Sequence, residues 1–201
     1  MHGRYGVLLL IAGMLAGCTT LQQTIALRSV AFQVDRITEV RMAGVDLSRV
    51  RTYSDLSLGD GARVTAALAS GELPLSFRLH LLAENPPGNN VTARLSRLRW
   101  TLLLEDTETV SGDIDREYVM PPGRPVEIPL DISLDLVDFY ERSGRDLVEL
   151  ALNLSKAGGA PKQVAIRAVP TITTPLGPIT YPRPITIVSG TLGHPDPASG
   201  R

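Results

Sequence analysis

The chain reads as an all-β protein with minor α content, an antiparallel β-sandwich carrying one or two short helices. Three observations predict this. Segments of about 6–11 residues alternate apolar and polar side chains, and Pro- and Gly-rich turns separate them. Hydrophobic residues make up 43% of the sequence and charged residues 20%, the balance of a globular domain long enough to bury a real core. A single cysteine, Cys18, rules out an intramolecular disulfide, so apolar burial must hold the fold.

The N-terminus comes first. Residues 1–17 begin with the weakly positive Met1-His2-Gly3-Arg4 and continue as "YGVLLLIAGMLAG". That run is too short for a membrane-spanning helix, which needs about 20 apolar residues. A charged start, a short apolar stretch and a small-residue cleavage region are the parts of a secretory signal. The cleavage region here is Leu15-Ala16-Gly17-Cys18, which resembles the bacterial lipobox. That resemblance implies cleavage before Cys18, a thioether lipid on its thiol and an acylated amino group. The competing reading is a buried N-terminal helix with an incidental cysteine. Each buried methylene contributes about 0.8 kcal/mol, and one acyl chain alone holds a protein only marginally. The lipobox implies three chains and a firm anchor. Thr19 follows the cysteine where enterobacteria place Asp to retain a lipoprotein in the inner membrane. The expected location is therefore the periplasmic face of the outer membrane, and the expected partner is the membrane itself.

Residues 18–31 are Thr- and Gln-rich at first and read as a tether. In "FQVDRITEVRM" the apolar set is Phe32, Val34 and, after a slip of register, Ile37 and Val40; this predicts a strand. "AGVDLSRV" continues it past a glycine break. Residues 60–70 carry Ala and Leu at helical spacing, with Asp60 as the expected cap and Gly71 as the stop.

The next strands are clearer. Leu75, Phe77, Leu79 and Leu81 share one face, opposite Ser76, Arg78 and His80. Leu98, Trp100, Leu102 and Leu104 do the same, opposite Arg97, Arg99 and Thr101. In "PVEIPLDISLDL" the residues Val126, Ile128, Leu130, Ile132, Leu134 and Leu136 all point one way. Pro129 lacks a donor N–H, which places this strand at a sheet edge or at a bulge. Residues 137–157 have helical texture split at Ser143-Gly144, and either a helix or a helix running into a strand fits. "QVAIRAVPTITTPLGPITYPRPITIVSG" reads as strand, Pro-Leu-Gly-Pro turn, strand. Residues 191–201 read as a disordered tail. The expected core is Phe77, Leu79, Leu81, Leu98, Trp100, Leu102, Ile128, Leu130, Ile132, Ile166 and Ile172.

The stretch "FRLHLLAENPPGNNVTARLSRLRWTLLLEDTETVSGDI" carries a family resemblance. An apolar strand runs into Glu84-Asn85-Pro86, a short polar turn follows, and a second strand holds Leu95, Leu98 and Trp100 before a polar turn and Ser111-Gly112. This is similar to the late embryogenesis abundant (LEA) type 2 family, also called the water stress and hypersensitive response (WHy) domain. "TITTPLGPITYP" is similar to that family's closing hairpin. The resemblance covers roughly residues 32–190 and implies a fibronectin-type-III-like β-sandwich. It also implies a desiccation-stress or structural role rather than an enzyme. Pro87 departs from the pattern, which commonly has Asn there, and the helix near residues 60–70 reads as an insertion. Asn85 and Pro86 form the hallmark. Proline denies the next ladder donor and biases its predecessor to extended geometry, while Asn bonds nearby backbone, so the pair reads as structural; a ligand role is the alternative.

Function classes are mostly excluded by what is missing. A formal charge of −1 leaves no basic excess for nucleic acid. Aromatics at 4% are too sparse for a base- or sugar-stacking surface. No G-x-S-x-G, P-loop, H-x-x-x-H or calcium loop occurs, and no cofactor is implied. His80 reads as a solvated or cross-strand-paired histidine rather than a base. "EDTE" at 105–108 and "DID" at 113–115 flank a turn, as a solvated rim or a weak cation site, and Arg94, Arg97 and Arg99 read as a solvated strand face. The alternative function is a lipid- or protein-binding module that uses an apolar groove of the sandwich.

Overall fold

A computed structural model describes residues 30–89, 91–139, 144–155, 164–174 and 177–188. The elements, in chain order, are β1 (Ala31–Met42), β2 (Val45–Asp46), a 3-10 turn (Tyr53–Asp55), α1 (Leu58–Ala69), β3 (Pro74–Glu84), β4 (Ala93–Leu104), β5 (Thr107–Ile114), β6 (Tyr118–Met120), β7 (Pro125–Asp135), α2 (Gly144–Ser155), β8 (Val164–Thr174), β9 (Gly177–Thr180) and β10 (Ile185–Val188). One sheet runs β2-β1-β3-β7; the other runs β10-β8-β4-β5, with β6 beside β4 and β9 beside β8. Every pairing is antiparallel. The result is the expected β-sandwich with two short helices.

The core follows the alternation. All eleven residues expected in it are buried. The slip in β1 is real: its pairing with β3 shifts register between Val34 and Arg36 and again between Thr38 and Arg41. Each shift realigns the apolar set, so Phe32, Val34, Ile37 and Val40 all reach the core. Glu39 absorbs the second shift at φ 57°, a left-handed conformation. Strand β7 lies at a sheet edge, as Pro129 requires.

Two hairpins close through two-residue loops whose central residues all have positive φ. Ala43 (48°) and Gly44 (76°) join β1 to β2, and Glu105 (48°) and Asp106 (64°) join β4 to β5. Positive φ at both positions is the type I′ signature, whose twist matches that of the strands.

Three expectations change and one open reading is settled. Ser57, not Asp60, caps α1: the Ser57 hydroxyl accepts from the Asp60 N–H at 3.1 Å, and Asp60 occupies the third position, where its carboxylate accepts from Ser57 at 2.6 Å. The stretch between the two acidic clusters, where a turn was expected, is strand: Ser111 and Gly112 pair with Thr101 and Trp100. Gly112 lies there because the indole covers it: a Cβ on Gly112 would sit 2.4 Å from Trp100 Cζ2. Ala168, small as well, faces Trp100 from β8. The last strand divides into β9 and β10, which pair with opposite halves of β8, because Pro182 and Pro184 cannot donate to a ladder between them. Finally, the ambiguous stretch after β7 resolves as helix α2, which packs on β1 and buries Leu147, Leu150, Ala151 and Leu154.

Candidate functional site

Cys18, the signal segment 1–17, nearly all of the tether and the tail 191–201 lie outside the described residues. Among the described residues, no helix is long and apolar enough to cross a membrane.

Asn85 and Pro86 follow β3 at the end of the sandwich where β1 begins; Ala31 pairs with Glu84, and Glu84 with Pro125. Asn85 is fully buried. Its Nδ2 donates to the Met120 carbonyl (2.8 Å) and to the Val91 carbonyl (3.1 Å). Its Oδ1 accepts from Asn89 Nδ2 at 2.6 Å, and its backbone carbonyl accepts from Gly123 N–H at 2.8 Å. One side chain thereby ties the β3–β4 loop to the strand and loop that precede β7, and so joins the two sheets. Gly123 completes the latch: its φ of 69° suits glycine, and Pro87 packs against it. Pro86 sets the turn, its carbonyl accepting from Asn89 N–H at 3.0 Å. All the donor and acceptor capacity of Asn85 that these contacts use is spent on the fold.

His80 sits on the outer face of the β1-β3-β7 sheet, yet is only 7% exposed. Side chains from both neighbouring strands cover it. Nδ1 lies 2.7 Å from Glu127 Oε1 on β7, and Nε2 lies 2.8 Å from Thr38 Oγ1 on β1. A carboxylate only accepts, so the consistent tautomer has Nδ1–H donating to Glu127 and Nε2 accepting from the Thr38 hydroxyl. Arg36 comes within 3.2 Å of Nδ1 and donates to Glu127 Oε2 at 2.7 Å; it also pairs with Asp35. Hydrogen bonds from His80, and then from Arg36, hold the Glu127 carboxyl below the usual carboxylate range. Glu127 in turn raises the Arg36 pKa. Next along the face, Arg78 bridges Asp131 at 2.6 Å and Glu39 at 2.7 Å, and Asp131 raises its pKa. The carboxylate–imidazole–hydroxyl order is the connectivity of an orienting group, a base and a nucleophile. Here it lies on an open sheet face with both ring nitrogens engaged by side chains of that same sheet, and it stitches three strands.

The two acidic clusters do not flank one turn. Glu105-Asp106 is itself the turn, while Asp113 and Asp115 lie at the far end of β5. Arg97 takes Asp115 at 2.8 Å and Asp113 at 3.6 Å, and Arg167 takes Glu108. Arg94 takes Glu117 at 3.0 Å, so the arginine face of β4 is exposed but largely paired. Among the described residues, no cluster of His, Cys, Asp or Glu has the grouping of a metal site. At the opposite end of the molecule, Glu105, Asp146, Glu149, Leu150 and Asn153 line a depression of about 420 Å³.

The sequence pointed to His80 and Asn85 but not to their partners. Thr38, Arg36 and Glu127 lie more than 40 residues from His80 in sequence, and only the strand register brings them together.

No family model matches this chain, and no curated protein matches it. Among solved structures, a protein from Archaeoglobus fulgidus is similar over 59% of this chain and 88% of its own, with 13% identity and a TM-score of 0.30.

Proposed function

We propose that this chain is a lipid-anchored bacterial envelope protein, held through Cys18 at the periplasmic face of the outer membrane, whose LEA type 2-like sandwich has a structural or stress-protective role without catalysis. The observation that carries this reading is Leu15-Ala16-Gly17-Cys18 at the end of a short apolar run, twelve residues before β1 begins. Three further features support it. The sandwich is the architecture that the LEA type 2 resemblance implies. The Asn-Pro hallmark is absorbed in a buried latch. The most reactive-looking histidine has both nitrogens bonded within its own sheet.

The test is Cys18→Ser followed by cell fractionation and mass measurement. The wild type is expected in the membrane fraction, and the variant is expected to lose the lipid mass and the mature processing. A variant that stays in the membrane fraction at unchanged mass overturns the anchor. The protective role is tested by drying a labile enzyme with this protein or with an equal mass of albumin. Recovery no better than with albumin removes that role.

A further inference from the structure

The two helices are attached to the sandwich in different ways. α2 buries Leu147, Val148, Leu150, Ala151, Leu152 and Leu154, and Ser155 Oγ donates to the Leu47 carbonyl at 2.6 Å. α1 buries Val64 alone; Ala67 and Leu68 are half-buried, and Leu58 is 97% exposed. α1 meets the sheet at β2, a strand of two residues, where Val45 belongs to the same apolar cluster as Val64. No polar tie holds the helix there. Among the described residues, every hydrogen bond and ion pair of residues 57–72 is made within that segment.

The caps are local as well. Ser57 and Asp60 close the N-terminus, and Arg63 takes Asp60 at 2.9 Å. At the other end Gly71 N–H donates to the Leu68 carbonyl at 3.1 Å and Glu72 N–H to the Ala67 carbonyl at 3.0 Å, with Gly71 at φ 77°. That is the Schellman arrangement, which ends a helix but does not fasten it to anything else. A helix shorter than about 12–15 residues is marginal in water, and α1 has 12 residues, with Gly59 and Gly61 in its first turns. The chain on either side is pinned to the sheet: Leu47 N–H donates to the Val40 carbonyl at 2.9 Å, and Leu73 N–H to the Asp135 carboxylate at 2.8 Å.

We propose that α1 is a detachable flap. It leaves β2 and unwinds as one unit between the pinned residues Leu47 and Leu73, while both sheets stay paired. Opening uncovers Val45 together with the flap's own Val64, Ala67 and Leu68, so the domain shows an added apolar surface without melting. The seat of Val64 is the one strong contact that opening breaks, which places α1 at the low end of the range of local stabilities within the fold. The device depends on neither the Cys18 anchor nor the protective role.

The experiment is native-state hydrogen exchange of the full-length protein in mild detergent, read by mass spectrometry on peptides from α1, β3 and β4. Tryptic cleavage after Arg63 is the second readout, because it needs α1 unwound and follows the open population. α1 amides should exchange at least about a hundredfold faster than those of β3 and β4, and the Arg63–Val64 bond should be cut while those after Arg78, Arg97 and Arg99 survive. Gly59→Ala with Gly61→Ala adds two methyls that fit: the first lies 3.8 Å from Ser57 Oγ, and the second has nothing within 4 Å. Both favour the wound helix, so exchange and cleavage at α1 should slow roughly tenfold. Val64→Ala should speed them about tenfold and leave β3 and β4 within about twofold. α1 amides as protected as those of β3, or a Val64→Ala variant that speeds β3 and β4 equally, would mean a single cooperative unit and overturn the flap. Rates at α1 unmoved by the two glycine replacements would overturn it too, since opening would then not unwind the helix.

Discussion

Asn85→Ala is the sharpest test of the latch between the sheets. The side chain is fully buried and gives up three hydrogen bonds on truncation: two donated to the Met120 and Val91 carbonyls and one accepted from Asn89. A buried polar group left without its partner costs about 1–3 kcal/mol. Asn89 is half-exposed and recovers a water, so the two carbonyls dominate, and the variant should lose about 2–5 kcal/mol. For a domain of this size, each kcal/mol moves Tm by about 2–4 °C, so the expected fall is roughly 4–20 °C. Asn85→Asp keeps the volume but turns an oxygen toward two carbonyl oxygens. It should be at least as damaging at neutral pH, and the deficit should narrow in acid, where a protonated carboxyl regains one donor. Urea unfolding followed by Trp100 emission measures both variants. A loss under 0.5 kcal/mol for Asn85→Ala would refute the latch and free Asn85 for a ligand role.

Other predictions concern the core, a turn, acid stability and activity. Gly112→Ala places a methyl within 2.4 Å of the Trp100 indole, so it should cost about 1–3 kcal/mol and shift the native tryptophan emission red; unchanged emission would show that the ring does not cover Gly112. Asp106→Gly relieves a left-handed non-glycine residue (φ 64°) and should stabilise by about 0.5–1 kcal/mol in chemical denaturation; a loss would mean that the Asp106 side chain supports the turn. Glu127 has a lowered folded pKa, so its contribution is present above the ordinary glutamate range and is lost as pH falls through the folded value; Glu127→Gln should flatten the acid limb of the stability–pH curve, and an unchanged limb contradicts the His80–Arg36 cause. A broad hydrolase screen should return no turnover, and His80→Ala should change stability alone; robust turnover abolished by His80→Ala would overturn the non-catalytic reading.

The β3, β4 and β7 cores were legible because alternation with period 2 is a local signal: Leu75 to Leu81 and Ile128 to Leu134 can be assigned without knowing what they face. β1 was half-legible. Its slip was visible in the spacing of Val34 and Ile37, but the bulges that absorb it are defined against β3. A polar turn after the Trp100 strand was legible, but its position at Glu105-Asp106 was not, because no glycine marks it and the hairpin imposes the positive φ. Gly112 gave a turn signal for the wrong reason, since the glycine serves the tryptophan across the ladder. The surroundings of His80 depend on pairings across three strands, so its place on the polar face was readable and its burial was not.

The most direct measurement of the central claim is the mass of the N-terminal peptide from protein taken from its own membrane. A lipid-anchored envelope protein predicts a peptide that begins at Cys18, carries a thioether-linked diacylglyceryl group and has an acylated amino group. A peptide that runs through Gly17 into an unmodified Cys18 would contradict it.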